Sequence, residues 1–202
     1  MIVAIVPAAG HSERMGRPKL ILPVGGQTVI ARVTQALLQG GAGRVVVVTP
    51  PSDAPGSVIL AREAEKAGAL VVVPAERPID MRASFERGLD ALAGVPDVTT
   101  LLLAPGDSVG VTAELVARVV ACARQCPDAL VVPVVQGLRG HPVALPRSIA
   151  EEVRSLPLGV GINTLIKLQA SAVVELPVNE PGAVADLDTP EDYQRWTEPD
   201  DG

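Results

Sequence analysis

Aromatic residues are nearly absent from this chain: Phe, Tyr and Trp occur once each in 202 residues. The core must therefore be filled by aliphatic side chains. Chains of that kind suit sheets buried on both faces, whose strands read as continuous Val, Ile and Leu runs. Excess positive charge is missing too. The formal net charge is -6, which argues against nucleic acid or an anionic membrane as partner, because both are held by basic surfaces. Cysteine is scarce, and Cys122 and Cys126 lie in a helical pattern without the spacing of a zinc or redox motif. They read as ordinary helix residues in a reducing compartment. No run reaches the roughly 18 apolar residues of a membrane span, and the apolar N-terminus lacks the basic segment of a signal peptide. These absences point to a cytoplasmic protein.

What is present is an alternation. Aliphatic runs at Ile2–Val6, Arg44–Thr49, Leu70–Val73, Thr100–Ala104, Leu130–Val135 and Val173–Leu176 read as strands. Between them lie amphipathic stretches of helical length: Thr28–Gln39, Val58–Ala67, Arg82–Leu92, Thr112–Arg124 and Ile162–Gln169. Strands alternating with helices at this spacing predict βαβ units around a mostly parallel sheet covered on both faces. The expected fold class is α/β, a three-layer α/β/α arrangement. The length suits one domain spanning residues 1–202, with the acidic residues 198–202 as a frayed tail. From Gln136 to Pro146 the alternation falters, which predicts an excursion from the sheet, a hairpin beside the site.

In an open parallel sheet, ligands bind beyond the carboxyl ends of the strands. The first such end carries the main signal: Ile2–Val6 breaks into the small-residue turn Ala8-Ala9-Gly10, followed by Arg14, Arg17 and Lys19. Small residues let the backbone approach a ligand closely, and successive turn amides can converge on an anion. Arg14 and Lys19 would add charge-assisted hydrogen bonds. The loop lacks both G-x-G-x-x-G and the Walker spacing, yet its local excess of positive charge in an acidic chain is what a phosphate site needs. Asp107 follows the run Thr100–Ala104 through a Pro-Gly bend, and Asp186 precedes Asp188-Thr189-Pro190. The latter three read as the cap and first turn of a last helix, which leaves Asp186 free for another task. Two carboxylates flanking a phosphate loop could hold Mg²⁺, which favours a few carboxylates plus phosphate oxygens.

At this point the residues resemble a known family. Ala8-Ala9-Gly10-His11-Ser12-Glu13-Arg14-Met15-Gly16-Arg17-Pro18-Lys19 is similar to the A-A-G-x-S-x-R-M-G-x-x-K signature of MobA-like NTP transferases of the molybdenum cofactor cytidylyltransferase type. Gly106-Asp107, Arg139-Gly140-His141-Pro142-Val143 and the stretch Asp186 to Tyr193 resemble further motifs of that family. Related guanylyltransferases usually carry A-G-G where Ala8-Ala9-Gly10 stands, so the resemblance favours CTP. It implies a Rossmann-like fold of the nucleotide-diphospho-sugar transferase type. It also implies a nucleotide site at Ala8, Ala9, Gly10, Ser12, Arg14, Gly16, Lys19 and Ser84. Catalytic roles would fall to Lys19, Arg14 and Asp107, Mg²⁺ would sit on Asp107 and Asp186, and His141 would lie on the acceptor side.

The reaction so implied moves CMP from CTP to a phosphorylated acceptor such as the molybdopterin cofactor, with pyrophosphate leaving and a molybdoenzyme as eventual partner. Two departures stand out. The family's Asp-Met-Pro-Leu reads Asp107-Ser108-Val109-Gly110 here, and a G-D-x-G-A-R segment is represented by Gly159-Val160-Gly161-Ile162-Asn163, without its acid or its arginine. The second falls on the acceptor side. Two other readings stay open: a sugar- or alditol-phosphate nucleotidyltransferase, and a non-catalytic chaperone that binds nucleotide or cofactor.

Overall fold

A computed structural model of the chain describes residues 1–197; the expected frayed tail, 198–202, lies outside the described residues. The strands form where branched aliphatic residues run together. β1 (Ile2–Pro7) is buried along its whole length and sends alternate residues to opposite faces. Ile2, Ala4 and Val6 enter one apolar cluster, while Val3 and Ile5 enter another. After a small antiparallel pair, β2 (Pro23–Val24) and β3 (Gln27–Thr28), helix α1 (Val29–Gln39) starts where the Thr28 hydroxyl accepts the Ala31 amide. Then come β4 (Arg44–Val48), α2 (Ser57–Lys66), β5 (Leu70–Val72) and α3 (Met81–Asp90). β6 (Thr100–Leu103) is followed by α4 (Ala113–Gln125), β7 (Leu130–Val135), β8 (Leu138–Arg139) and β9 (Val143–Pro146). The chain continues through α5 (Arg147–Glu151), α6 (Asn163–Leu168), β10 (Val173–Pro177) and α7 (Pro190–Thr197).

The main sheet runs β10-β7-β9-β6-β1-β4-β5, with β8 paired to β7. β1 is parallel to β4 and β6, β4 to β5, and β7 to β10. Residues of α1, α2 and α4 fill the cluster on one face, and those of α3, α5 and α6 the cluster on the other. The three-layer α/β/α expectation therefore holds, with a mostly parallel sheet. The excursion expected at Gln136–Pro146 is different in kind. Gln136 and Gly137, both at positive φ, turn β7 into the short hairpin partner β8. β9 then inserts into the middle of the sheet, antiparallel to both β6 and β7. The sequence reads as a break because a four-residue strand, fully buried among Val, Ala, Leu and Pro, has no room for a recognisable period.

The last segment reaches the site through a tight crossing. A methyl group at Gly110 would meet the backbone of Gly182, and one at Gly182 would meet the backbone of Gly110. Only hydrogen at both positions lets residues 181–184 lie against the turn after β6. That contact delivers Asp186 and Asp188 beside Asp107, and the Leu187 amide donates to the Asp107 carbonyl at 3.0 Å.

Candidate active site

The C-terminal ends of β1 and β6 open onto a cleft of about 410 Å³. Ala8 and Ala9 are buried in its floor, with the Ala8 amide donating to the Val48 carbonyl at 2.9 Å. The amides of Ala9, Gly10 and His11 donate to no protein acceptor among the described residues. These unsatisfied donors at a strand end form a ready cradle for anionic oxygen. Ser12 takes a left-handed conformation (φ 53°), and its carbonyl receives the Met15 and Gly16 amides at 3.1 Å each. Its hydroxyl accepts the Lys19 amide at 3.4 Å, so the loop folds back on itself and points the Lys19 side chain inward.

Lys19 is the hub. Its Nζ donates to Asp107 Oδ2 at 2.6 Å and to Asp188 Oδ1 at 2.8 Å, with only 12% of the side chain exposed. Burial alone would lower the ammonium pKa, but the two carboxylates outweigh it and hold it above the usual lysine value. Arg14, 71% exposed, pairs with the other oxygen of Asp188 at 2.9 Å. The Lys19 hydrogen bond, aided by the charges of Lys19 and Arg14, pulls the Asp188 carboxyl below its ordinary range. Asp186 behaves oppositely. One side faces solvent, yet burial of the rest and the nearby Asp107 charge raise its pKa, and among the described residues its one side-chain hydrogen-bond partner is the Ser108 hydroxyl, which donates at 3.3 Å.

His141 lies next to this group. Its backbone amide donates to the Ala183 carbonyl at 2.8 Å, while its ring Nδ1 is sealed from solvent with no hydrogen-bond partner among the described residues. Burial lowers the imidazole pKa despite the opposing pull of Asp186, the Leu103 carbonyl and Asp107. Burial thus favours the uncharged imidazole, against the pull of the carboxylates beside it.

Of the residues expected at the site, the cleft gathers Ala8, Ala9, Gly10, Ser12, Arg14, Lys19, Ser84 and Asp107. Ser84 is buried and donates its hydroxyl to the Asp80 carbonyl at 3.2 Å, so it presents a wall. Gly16 turns the chain at φ 64° and lines a neighbouring cleft of about 390 Å³ on the other side of the loop. Asp186 and His141 do not line the main cleft. One reading needs correction. Asp188 does not serve the helix cap: Thr189 caps α7, its hydroxyl accepting the Asp192 amide at 3.2 Å while Asp192 accepts the amides of Asp188 and Thr189. The Asp188 side chain is thereby free to enter the cleft and bond both cations. Nor does Asp107 cap a helix, because Thr112 caps α4.

Three further residues make contacts that no motif had assigned to them. Arg77 donates to the carbonyls of Ala9 and Gly10. Arg82 holds the carbonyls of Leu156, Pro157 and Val160 at 2.9, 2.7 and 3.2 Å, fixing the segment where the family's acid and arginine are missing. Tyr193 lies under Arg17 at 5.2 Å and donates its hydroxyl to the Pro23 carbonyl at 2.8 Å, which ties α7 to the loop.

A small-residue strand end with free amides, two cations beside it and acidic side chains facing them has the chemistry to receive a polyanion. Residues 4–174 match the MobA-like NTP transferase domain. The chain belongs to that family. Among curated proteins, it is 35% identical over 139 residues to the 2-C-methyl-D-erythritol 4-phosphate cytidylyltransferase of Rhodococcus opacus, covering 66% of this chain and 55% of that protein. It is 37% identical over 109 residues to the enzyme of the same name from Saccharopolyspora erythraea, covering 50% of this chain and 46% of the relative. These matches thus span only about half the length of the relatives. Among solved structures, Rv0371c from Mycobacterium tuberculosis H37Rv superposes with a TM-score of 0.76 at 25% identity, covering 96% of both chains. A manganese complex of that protein gives 0.72 at 26% identity, covering 96% of this chain and 97% of the other. A nucleotidyl transferase from Methanothermobacter gives 0.75 at 27% identity, covering 96% and 95%. A 4-diphosphocytidyl-2C-methyl-D-erythritol synthase from Anaerococcus prevotii, 16% identical with a TM-score of 0.72, shares the fold, which is Rossmann-like. Among the described residues, no helix is long and apolar enough to cross a membrane.

Proposed function

We propose that this protein is a divalent-metal-dependent nucleotidyltransferase that moves a nucleoside monophosphate, CMP by preference, from NTP to a phosphate monoester, releasing pyrophosphate. The observation that carries the reading is Lys19, held between Asp107 and Asp188 at the mouth of a loop whose amides are free. The cations can move onto phosphate oxygens when nucleotide enters, and the carboxylates they leave can face a metal. CTP is favoured by Ala8-Ala9-Gly10 and by the cytidylyltransferase relatives.

The residues fit a hard cation bound together with nucleotide. Among the described residues, no group of three or more His, Cys, Asp or Glu forms a closed metal cage. An ion that keeps water and takes one or two carboxylates plus substrate phosphates is served by Asp107 with Asp186 or Asp188. When bound, Mg²⁺ or Mn²⁺ would neutralise charge on the α-phosphate. The protein does the rest. The loop amides and Arg14 hold the β- and γ-phosphates, and Lys19 reaches the α-phosphate and stabilises charge developing there. The acceptor oxygen needs no protein base, because a phosphate monoester is already largely dianionic near pH 7, with a second pKa of about 6. In-line attack on the α-phosphorus then depends on positioning. His141, half-buried beside the carboxylates, shapes the acceptor side, and no role as a base falls to it.

Two acceptor classes compete. Molybdopterin, with a molybdoenzyme as downstream partner, follows from the loop signature. An alditol phosphate is favoured by the names of the curated relatives and by the absent acid and arginine at Gly159–Asn163. We read the whole chain as one domain working in the cytoplasm. The deciding experiment is pyrophosphate release from CTP, GTP, UTP and ATP with Mg²⁺ or Mn²⁺, against molybdopterin and a panel of sugar and alditol phosphates. Metal-dependent release with CTP and one acceptor class is expected. Binding of CTP without release from any acceptor would favour the chaperone reading.

A further inference from the structure

Arg77 belongs to no motif and lies between β5 and α3, yet it reaches across to the phosphate loop. Its Nη1 donates to the carbonyl oxygens of both Ala9 and Gly10, the second at 3.3 Å. Neither carbonyl receives a backbone N–H among the described residues. The peptide bonds on either side of Gly10 are trans, so the C=O and N–H of each unit point in opposite directions. With the Ala9 and Gly10 oxygens turned to Arg77, the amides of Gly10 and His11 must face away from it. Arg77 lines the neighbouring cleft and not the main one, whereas Gly10 and His11 line both. Those two amides are among the donors left free. None of the described residues lies within 4 Å of a Cβ position at Gly10, so packing does not impose this orientation.

We propose that Arg77 is a positioning residue of the nucleotide site: by holding the carbonyls of Ala9 and Gly10, it turns the amides of Gly10 and His11 into the cleft that receives the phosphates. The inference rests on the nucleotide reading given above and deepens it. Arginine suits the task. Its guanidinium stays charged and offers a fixed fork of donors, where lysine supplies a single mobile point charge. Its positive charge behind the loop also offsets the exposed carbonyl dipoles, which would otherwise repel an anion that swung toward them.

The test separates phosphate positioning from general support and from base recognition. Wild type, Arg77→Ala and Arg77→Lys are titrated calorimetrically with CTP plus Mg²⁺, with inorganic pyrophosphate plus Mg²⁺, and with CMP; melting temperatures are recorded alongside. Arg77→Ala should weaken CTP and pyrophosphate by about tenfold or more, the scale of a charge-assisted hydrogen bond, and CMP by less than about threefold. Arg77→Lys should recover part of the loss, and it carries the test alone if the alanine variant does not fold. Equal loss for all three ligands together with a collapsed melting temperature would reduce Arg77 to a structural prop. A loss greatest for CMP would make it a base contact, and unchanged affinities would deny it any role. If wild type binds neither CTP nor pyrophosphate, the nucleotide reading itself falls and this inference with it.

Discussion

Lys19 and Asp188 are joined by a 2.8 Å hydrogen bond across 169 residues of chain. The cation proposed to meet phosphate is held by the carboxylate that faces it. Asp188 therefore competes with the triphosphate for Lys19 and Arg14. Asp188→Asn should tighten CTP binding in EDTA by about tenfold, given that hydrogen bonds to charged groups are worth about 1.5–3 kcal/mol. It should also weaken the dependence of CTP affinity on Mg²⁺. Calorimetry with and without metal reads both, and an unchanged metal-free affinity would remove the competition.

Asp107 offers the complementary case. Its side chain bonds Lys19, whereas its carbonyl carries the bonds that shape the turn, from the Val109 amide at 2.8 Å and the Leu187 amide at 3.0 Å. Asp107→Ala should thus keep the fold, with a melting shift of a few degrees, about 2–4 °C per kcal/mol for a chain of this size, while abolishing nucleotidyl transfer. Near-normal metal-dependent turnover in that variant would exclude Asp107 from the metal site.

Acid should loosen the C-terminal segment before the sheet. The folded-state pKa of Asp188 lies below its ordinary 3.8, through the Lys19 hydrogen bond above all. The stabilisation from a depressed carboxyl is present above the unfolded pKa and is lost as pH falls through the folded one. Trp196, the chain's one tryptophan, stands over Arg32 at 6.0 Å on α7 and reports this directly. Its emission should hold steady down to about pH 4 and then shift before the far-ultraviolet signal of the sheet. In Asp188→Asn this early phase should shrink. Coincident loss of both signals in wild type would show that α7 is no weaker than the rest.

Arg82 should separate the two halves of the cleft. It satisfies three carbonyls of the segment 156–160, one exposed and two half-buried, and a hydrogen bond of that kind contributes about 0.5–1.5 kcal/mol. Arg82→Ala should lose stability on that scale in urea and raise the KM for acceptor, with little change in CTP affinity. An equal effect on donor and acceptor would place the segment elsewhere.

Gly182→Ala tests how Asp186 and Asp188 are delivered. The added methyl meets the Gly110 backbone, which cannot swing aside as a side chain would. A destabilisation of about 1–3 kcal/mol, with transfer activity falling further than stability, is expected. Full activity would mean that the crossing is not what sets the carboxylates.

The parallel strands and covering helices were legible because each is a run of Val, Leu and Ala at a clean period, and the phosphate loop because small residues and three cations cluster at one strand end. β9 escaped because four buried residues carry no period. Asp188 was misjudged because its sequence context, before Thr189-Pro190, satisfies capping rules equally well; only the third dimension shows Asp192 and Thr189 completing the cap between themselves. Arg77 and Arg82 act on backbone carbonyls, and a carbonyl leaves no trace in a sequence.

The crossing of Gly110 and Gly182 has a consequence for where along the chain the proposed site is completed. Every strand of the sheet has been supplied by Pro177, and residues 4–174 suffice to mark the family. The anion that closes the ionic network around Lys19 nonetheless arrives later, threaded through a gap that admits hydrogen alone. The sheet and the last carboxylate of the proposed site are thus supplied by separate stretches of chain.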